Sequence, residues 1–439
     1  MRSRVYINPL ILAIISFLWI PGVSAAQPLK IFHIDVEQGD ATLFVSPNNK
    51  TLLVDSGKNG HGARINSILQ ELQIDTIDVF VNTHYHEDHY GGVDELVRDF
   101  NIHIRRTYDR GDKDFISDSK RNQASFQDYY EFVGHRATHL TRGMSIPFDE
   151  EIDVTCIASG GVVLGEVDPV PAVYENDMSL ALLLQFREFK YFIAGDIGVT
   201  TEDKIAHRDI VTSVDVYQAN HHGSHTSSSW LLLEDLRPTV VVISNGNHAG
   251  YMHPRATTLN KFKMLDPQPA VFQTNKYYQG RLGANTADEF IADLESVDQD
   301  GTIEVAVDNE TTIITVRYRD QEMHFPVKRA GEKSPLKIES LLPNPIGPDR
   351  QLELVTIKNT SDDTIPLSGW FLRDRSGKVW TLSLEQHIEP HSTLKFIRNG
   401  MAMSLNNDGD EIILINPSNE VVDRFQYSGS TEGEIIFAN

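Results

Sequence analysis

The stretch at residues 81–92, Val-Asn-Thr-His-Tyr-His-Glu-Asp-His-Tyr-Gly-Gly, constrains the fold of this chain more than any other feature of its sequence. An apolar, β-branched run at 77–81 leads into it and predicts a β-strand. Apolar residues at helical spacing follow it, from Val93 to Phe100. The stretch is therefore predicted to be a short loop between a strand and a helix, where α/β proteins place their chemistry.

Four side chains of this loop are potential metal ligands: His84, His86, Asp88 and His89. Alternation sends His84 and His86 to the same side of the chain, whereas Asp88 and His89 diverge toward a second ion. Imidazole and carboxylate groups together suit zinc, manganese or iron, and no cysteine lies nearby in the sequence. The alternative, a polar loop with incidental histidines, is disfavoured because the four groups fall within six residues.

The N-terminal residues predict export. Arg2 and Arg4 precede an apolar run at 9–20, and small residues up to Ala26 follow it. A basic start, a short apolar segment and a small-residue cleavage site are typical of a secretory signal peptide, here residues 1–26, with a destination in the periplasm or outside the cell. A retained membrane anchor is the alternative, but the run is short for a spanning helix and no later stretch is long enough.

The composition describes an acidic chain without disulfide bonds. Its formal net charge is −23, so the field of the whole chain repels nucleic acid at long range. This charge does not exclude phosphodiester chemistry, because bound divalent ions dominate the potential inside a metal site. Cys156 is the only cysteine, and its strand-like surroundings predict a buried apolar role. A length of 439 residues favours two domains over one.

Three later strand ends carry further candidate groups. Asp196 follows a glycine at the end of an apolar run, and beside the histidine loop it becomes the natural carboxylate to bridge two metals. His221 and His222 follow another strand-like run; capping of the next helix explains the serines there but not two adjacent imidazoles. His253 precedes a proline at the same predicted sheet edge, where an ordinary histidine is an equally good interpretation.

Two other segments allow two interpretations each. Asp55 stops the strand predicted at 51–54, and spacing alone favours turn formation over a supporting role beside the histidine loop. Residues 101–150 mix both signs of charge without a clear period, which predicts a solvated loop. A basic rim that faces the substrate is the alternative for this second segment.

The pattern HxHxDH at 84–89, with two glycines after it, resembles the metallo-β-lactamase superfamily. The resemblance implies a four-layer αβ/βα sandwich over residues 28–325, with one or two metals at one sheet edge. The order of the motifs is similar to that in the hydrolase domain of the ComEC competence proteins; they lie at 35–40, 84–89, 175–180, 195–196, 221–224 and 253–254. That family is associated with divalent-metal nuclease or phosphodiesterase activity on DNA. Its transmembrane segments have no counterpart in this sequence, so a role in DNA import is not implied.

The resemblance also implies roles for single residues. Two divalent ions, zinc or manganese, would be held by His84, His86, Asp88, His89, Asp196 and His222. The catalytic candidates are Asp88, His221 and His253, and the candidates for supporting ligands or contacting substrate are Asp40, Asp55, Asn176 and Ser224. Spacing leaves open which of His221 and His222 binds metal, and we favour His222. Asn176 is the candidate for a middle histidine ligand that this sequence lacks, and His253 for protonating the leaving oxygen or gripping phosphate.

The C-terminal part of the chain predicts a separate β domain. Short alternating runs separated by turns recur over residues 336–435, which is typical of a small immunoglobulin-like β-sandwich. Its turns, such as those at 367–372 and 405–410, resemble the lamin-tail domain, which implies that the sandwich positions the enzyme by binding a protein or cell-surface partner. Polar residues with a proline at each end predict a linker over 326–335.

These features predict an exported metal-dependent hydrolase that cleaves phosphodiesters, with nucleic acid as the expected substrate and a water activated by two metals. Two alternatives stay open. In the first, the same metals act on a lactone, lactam, thioester or phosphocholine ester, which the acidic surface favours. In the second, the protein is a non-catalytic surface adhesin or scaffold with a structural metal site, but so many ligands on separate loops argue against a closed four-coordinate site.

Overall fold

The computed structural model describes residues 27–111, 123–167, 174–265, 267–280, 282–295, 300–308, 313–328, 336–382, 386–416 and 421–438. The predicted signal peptide, residues 1–26, lies outside the described residues, as do residues 329–335 of the predicted linker. Within the described ranges, no helix has both the length and the apolar composition needed to cross a bilayer.

The helices are numbered in chain order within these ranges. They are α1 Gly62–Glu71, α2 Glu87–Tyr90, α3 Val93–Arg98, α4 Ala124–Phe132, α5 Val199–Ala206, α6 Trp230–Leu236, α7 Ala256–Met264 and α8 Asp349–Leu352. Short 3-10 helices cover Gly134–Arg136, Asn176–Met178, Asn220–Gly223 and Asp288–Phe290.

Two large sheets form the N-terminal domain. Their strands are β1 Leu29–His33, β2 Thr42–Val45, β3 Thr51–Val54, β4 Thr76–Asn82, β5 His103–Asp109, β6 Thr138–His139, β7 Ile152–Ser159, β8 Val162–Val163, β9 Ala181–Phe186, β10 Phe189–Ile193, β11 Val216–Gln218, β12 Val240–Ile243, β13 Ala270–Asn275, β14 Ile291–Asp293, β15 Ile303–Val307, β16 Ile313–Tyr318 and β17 Gln321–Pro326. The first sheet has the order β17-β16-β15-β1-β2-β3-β4-β5-β6, and the second β14-β13-β12-β11-β10-β9-β7-β8.

The two sheets pack face to face, and helices cover both outer faces. Alternating apolar residues such as Val81, Leu184 and Val242 meet in a buried core between the sheets. Helices α1, α3 and α4 bury their apolar sides on the first sheet, and α5, α6 and α7 bury theirs on the second. The predicted four-layer αβ/βα sandwich is therefore confirmed.

Parallel strands bring several loops to one edge of this sandwich. Strands β3, β4 and β5 run parallel in the first sheet, and β10, β11, β12 and β13 run parallel in the second. The carboxyl ends of parallel neighbours lie at the same sheet edge, so the loops that follow them cluster there. The candidate metal ligands His84, His86, Asp88, His89, Asp196 and His222 all follow one of these strand ends, whereas Asn176 lies in the loop between β8 and β9.

The prediction of a solvated loop over 101–150 is wrong for much of that segment. Strand β5 pairs with β4 over its whole length, and α4 packs on the first sheet through Phe126 and Tyr129. The sequence of β5 does not show the apolar alternation of a strand, because its charged residues are frequent and only Ile104 and Thr107 among its central residues are buried. Tertiary packing decides the structure here, and local propensity does not.

The C-terminal domain is an all-β sandwich, as predicted. Its strands are β18 Leu336–Leu342, β19 Leu354–Asn359, β20 Ile365–Pro366, β21 Phe371–Asp374, β22 Val379–Thr381, β23 His387–Ile388, β24 Thr393–Ile397, β25 Asp410–Ile415, β26 Val421–Tyr427 and β27 Ile436–Phe437. Two four-stranded sheets, β24-β19-β18-β27 and β22-β21-β25-β26, enclose a core that includes Trp370 and Trp380. Strand β17 ends at Pro326, where the linker is predicted to begin, and this boundary stays a prediction.

Candidate metal centre

Five strand ends build one cluster of histidines and aspartates. His84 to His89 follow β4, Asp55 follows β3, and Asp196 follows β10. The His-His pair follows β11, and the loop after β12 overhangs the same edge. Two overlapping groups have potential ligand atoms within 4.8 Å of one another: Asp40, His89, Asp196 and His222 form one, and His84, His86 and Asp196 form the other.

Three histidines surround one oxygen of Asp196 in what we call the first position. It is formed by His84, His86, His221 and Oδ2 of Asp196. The Nε2 atom of His84 lies 3.0 Å from Nδ1 of His86 and 3.8 Å from Asp196 Oδ2. The Nε2 atom of His221 lies 3.6 Å from the same oxygen. These ring nitrogens converge from two loops, which is the arrangement a metal with imidazole ligands requires.

The other oxygen of Asp196 faces what we call the second position, formed by Asp88, His89, His222 and Oδ1 of Asp196. Asp196 Oδ1 lies 3.3 Å from His89 Nε2 and 3.6 Å from His222 Nε2. Asp88 Oδ2 lies 3.6 Å from His222 Nε2. Asp196 Oδ1, His89 Nε2 and His222 Nε2 are all buried, and none has a hydrogen-bond partner among the described residues. Three buried polar atoms without partners would be costly unless a cation joined them.

The backbone of the His-His pair explains how adjacent residues serve both positions. His221 and His222 have φ angles of 53° and 54°, and Gly223 continues the left-handed run at 76°. Left-handed backbone costs a residue with a side chain about 1–3 kcal/mol, so it persists only where the surroundings hold it. The two ring planes lie 71° apart, and one ring faces each position. The sequence left open which of the two histidines binds metal, and the structure places both of them at the site, one at each position.

Hydrogen bonds on the far side of the rings fix which nitrogen faces the second position. Asp55 Oδ2 lies 2.7 Å from His89 Nδ1, and the same carboxylate accepts hydrogen bonds from the backbone N–H and the hydroxyl of Thr83. The backbone oxygen of Ser244 lies 3.1 Å from Nδ1 of His222 and can only accept, so that nitrogen carries the proton. When the rings are neutral, both Nε2 atoms therefore have lone pairs directed at the second position.

The carboxylates around the second position stabilise positive charge on its histidines. Burial by itself would lower the pKa of His89, but Asp196 and Asp55 outweigh it and hold that pKa well above its usual range. Burial also opposes positive charge on His222, yet the carboxylates of Asp40, Asp196 and Asp88 raise its pKa to about 9. Without a metal, these imidazoles therefore hold protons where a divalent ion would otherwise lie.

The histidines of the first position behave in the opposite way. Burial lowers the pKa of His84 well below its usual value, and nearby His89 lowers it further. Burial likewise lowers the pKa of His221, although Asp196 opposes this. Both rings are consequently neutral near pH 7 and offer lone pairs without first losing a proton.

The residues predicted to support the ligands lie around the cluster. Asp40 lies 3.7 Å from Nδ1 of His222 and 3.9 Å from Nδ1 of His89, so it faces the protonated sides of both rings and supplies charge. Asn176 lies against the first position, with Nδ2 3.3 Å from His221 Nε2 and a buried Oδ1 that has no partner among the described residues. Ser224 hydrogen-bonds Thr226, which in turn contacts Nδ1 of His221.

His253 lies beside the His-His pair, as predicted. Its ring centroid is 5.5 Å from that of His221 and 6.2 Å from that of His222. Burial and the neighbouring histidines lower the pKa of His253 to about 3. It is therefore a neutral imidazole that can hydrogen-bond an oxygen, and its role in protonating the leaving oxygen or gripping phosphate stays a prediction.

Sequence reasoning assigned no role to two acidic residues that hold the site together, the partly buried Glu175 and the buried Glu202. The Glu175 carboxylate accepts hydrogen bonds from Nε and Nη2 of Arg110, at 2.8 and 2.7 Å, and from the backbone N–H of Tyr85 in the histidine loop. Glu202 accepts hydrogen bonds from the side chain of Asn220 and from two backbone N–H groups after the His-His pair. Arg110 and Glu175 are 65 residues apart, and no spacing rule could have joined them.

Comparison with known proteins gives two domain matches. Residues 34–245 match the profile of the metallo-beta-lactamase superfamily, and residues 329–429 match that of the Lamin Tail Domain. Recombination protein 2 of Haemophilus influenzae is 25% identical over 237 residues, which are 53% of this chain and 26% of that protein. ComE operon protein 3 of Bacillus subtilis is 24% identical over 248 residues, which are 52% of this chain and 30% of that protein.

Solved structures also match this chain, at low sequence identity. Zn(2+)-bound PqqB from Methylobacterium extorquens is 11% identical, covers 54% of this chain and 85% of its own, and has a TM-score of 0.33. The chain spans less than a third of the length of the curated relatives it matches.

Proposed function

We propose that this chain, which combines a metallo-β-lactamase domain with a lamin tail domain, uses two divalent metal ions to hydrolyse phosphodiesters of nucleic acid. The superfamily indicates a metal-dependent hydrolase. The observation that carries the two-ion proposal is Asp196, whose two oxygens face two separate sets of imidazoles. A carboxylate placed in this way suits a bridge between two ions.

The residues present fit such ions. The first position offers three imidazole nitrogens and a carboxylate oxygen, and the second offers two imidazoles and two carboxylates. Nitrogen and oxygen donors of this kind suit zinc or manganese. The second position supports the same proposal, because its buried Asp196 Oδ1, His89 Nε2 and His222 Nε2 have no hydrogen bond among the described residues and a bound cation would join them.

The chain's own groups would orient the substrate and the attacking water. Two bound ions would lower the pKa of a shared water and stabilise the non-bridging phosphate oxygens during in-line attack. Asp88 is the most exposed side chain of the second position, so its carboxylate is the group that would accept a proton from that water. Neutral His253 is placed to donate a hydrogen bond to a phosphate oxygen.

Nucleic acid is proposed as the substrate on the strength of the relatives. One of them is named for recombination and the other for a competence operon. The net charge of −23 opposes long-range attraction of nucleic acid, so recognition has to come from groups close to the metals. We further propose that residues 1–26 direct export and that the lamin tail domain positions the hydrolase on a protein or cell-surface partner.

A substrate panel tests the proposal. The purified mature chain is stripped of metal, reloaded with zinc or manganese, and given single-stranded DNA, duplex DNA, RNA and a nitrophenyl phosphodiester beside a lactone, a β-lactam and a thioester. We expect metal-dependent cleavage of the phosphodiesters. The Asp196→Asn variant should lose it, and Asp153→Asn, which changes an exposed carboxylate on β7, should retain it. Faster turnover of any carbon ester or lactam than of all the phosphodiesters would overturn the proposal.

A further inference from the structure

A row of aromatic rings leads from the metal site to the surface. It lies on the loop between β12 and α7 and consists of His253, Tyr251 and His248. The rings of His253 and Tyr251 are stacked, with centroids 6.3 Å apart and planes 22° apart. The ring of His248 lies 4.6 Å from that of Tyr251. His253 is buried, whereas Tyr251 is 43% exposed, so the row emerges from the protein beside the metals.

Two cationic side chains accompany the exposed ring. Lys58 Nζ lies 5.5 Å from the ring centroid of Tyr251. Arg255 donates a hydrogen bond to the backbone oxygen of Tyr251, and its buried Nε has no partner in the described part of the chain. Neither cation pairs with a carboxylate there, although acidic residues outnumber basic ones by 62 to 39 in this sequence. Unpaired cations in so acidic a chain indicate a place that binds an anion.

The loop that carries the rings is held in place. The backbone N–H of Asn245 donates to the Thr274 hydroxyl, and the Asn245 side-chain amide donates to the Asn275 backbone oxygen, both at 2.9 Å. Gly246 lies so close to the neighbouring turn that an added Cβ would be 2.3 Å from the backbone nitrogen of Gln38. These contacts fix the start of the loop, and a backbone hydrogen bond from Met252 N–H to the His248 oxygen, at 3.1 Å, closes the part that carries the rings, which lowers the entropy cost of binding.

We propose that Tyr251 and His248 form a stacking subsite for the base next to the scissile phosphate of a single-stranded nucleic acid, with Lys58 and Arg255 on the flanking phosphates. The proposal rests on the proposed phosphodiesterase function and specifies its substrate. Aromatic rings beside basic side chains are how proteins hold unpaired bases, because every base has a face that can stack. A base inside a duplex does not expose that face, so the subsite favours single strands.

The test measures binding separately from cleavage. Metal-loaded protein is titrated into a fluorescein-labelled phosphorothioate single strand that resists hydrolysis, and into the same strand built entirely of abasic residues, with anisotropy as the readout. Tyr251→Ala should raise the Kd for the base-containing strand about 5- to 150-fold and leave the Kd for the abasic strand unchanged. Tyr251→Phe keeps the ring and should bind like wild type. Phe437→Ala, which removes an exposed ring from the lamin tail domain, is the matched control.

The cations are tested in the same assay. Lys58→Ala should weaken both strands alike and reduce the slope of log Kd against log salt by about one, because it removes a phosphate contact. A Tyr251→Ala variant that binds the base-containing strand as tightly as wild type, or a wild type that binds both strands equally, would overturn the subsite. Discrimination between the strands without cleavage of any phosphodiester would instead overturn the proposed function and leave the subsite standing.

Discussion

The two proposed metal positions share Asp196 but differ in charge. The first position gathers three imidazoles around one carboxylate oxygen, and burial lowers the pKa of its His84 and His221. The second position has one imidazole fewer and an additional carboxylate from Asp88, with Asp55 and Asp40 behind its rings. Its imidazoles hold protons that the first position does not hold.

This difference shows how the same two donor types build two kinds of cation site. Burial alone makes a histidine neutral, and the ring then offers a lone pair and little attraction at a distance. Buried carboxylates attract a cation strongly, because water does not screen them. We therefore expect the second position to bind a divalent ion more tightly, with release of protons, and the first to fill after it.

Removing the shared carboxylate should have the largest effect. Asp196→Ala takes an oxygen ligand from both positions at once, so both ions should be lost or held weakly. Turnover of a phosphodiester should fall at least about 1,000-fold, since metal ions supply several kcal/mol of transition-state stabilisation. Metal analysis by mass spectrometry after gel filtration measures the ions per chain. Full occupancy of either position in this variant would contradict the shared role of Asp196.

The His-His pair separates the two positions. His222→Ala removes a ligand of the tighter position and should weaken metal binding there by more than about 100-fold, which is the upper range for loss of a mere supporting partner. His221→Ala should leave that tight position filled and weaken only the first. Competition titration with a chromophoric chelator reports both affinities. Equal effects of the two substitutions on the tight affinity would break the assignment of one ring to each position.

Local sequence patterns predicted most ligands of this site, but not to which of the two positions His221 and His222 belong. The ligands of the histidine loop and Asp196 could be found because each follows a strand-like run, and parallel strands bring such ends to one edge. The roles of His221 and His222 could not be resolved, because left-handed backbone at a residue with a side chain leaves no mark in the sequence. Spacing suggests that only one of two adjacent histidines binds metal, whereas the left-handed backbone directs one ring to each position.

Contacts between residues far apart in the sequence could not be predicted either, because they too leave no local pattern. Arg110 lies in a charged segment that was predicted to be solvated, yet it is 1% exposed and paired with Glu175. Asp55 allowed two interpretations from the sequence, and only its contact with His89 distinguishes a support from a turn former. Tertiary contacts between distant residues determine these roles, so a local pattern cannot supply them.

Removal of metal should make stability depend on pH in a direction set by the second position. Burial opposes charge on His222, but Asp40, Asp196 and Asp88 raise its pKa from 6.5 to about 9. A raised pKa in the folded state stabilises the fold below pH about 6.5, and that contribution is lost as the pH rises toward 9. His89 acts with the same sign. His222 alone should therefore cost the metal-free protein about 3 kcal/mol of unfolding free energy over this interval, and His89 should add to that loss.

Urea unfolding of chelator-treated protein at the two ends of this pH range measures the loss. Zinc-loaded protein should show little of it, because the ion replaces the protons. His222→Gln should also reduce the dependence in the metal-free state. A metal-free protein whose stability rises between these pH values would show that the carboxylates of the second position are not charged as described.

The smallest effect that still distinguishes the positions should come from Asp55, which touches no metal. Asp55→Asn places an amide where the carboxylate now accepts from Thr83 and faces Nδ1 of His89 at 2.7 Å. Without that acceptor, the His89 proton is free to move to Nε2, so affinity at the second position should fall about 10- to 100-fold while the first position is spared. Asp78→Asn is the matched control, since Asp78 accepts from Thr51 in the same sheet but at the opposite strand ends. Chelator titration should show metal loss for Asp55→Asn and none for Asp78→Asn; equal loss from both would mean that Asp55 acts only through general stability.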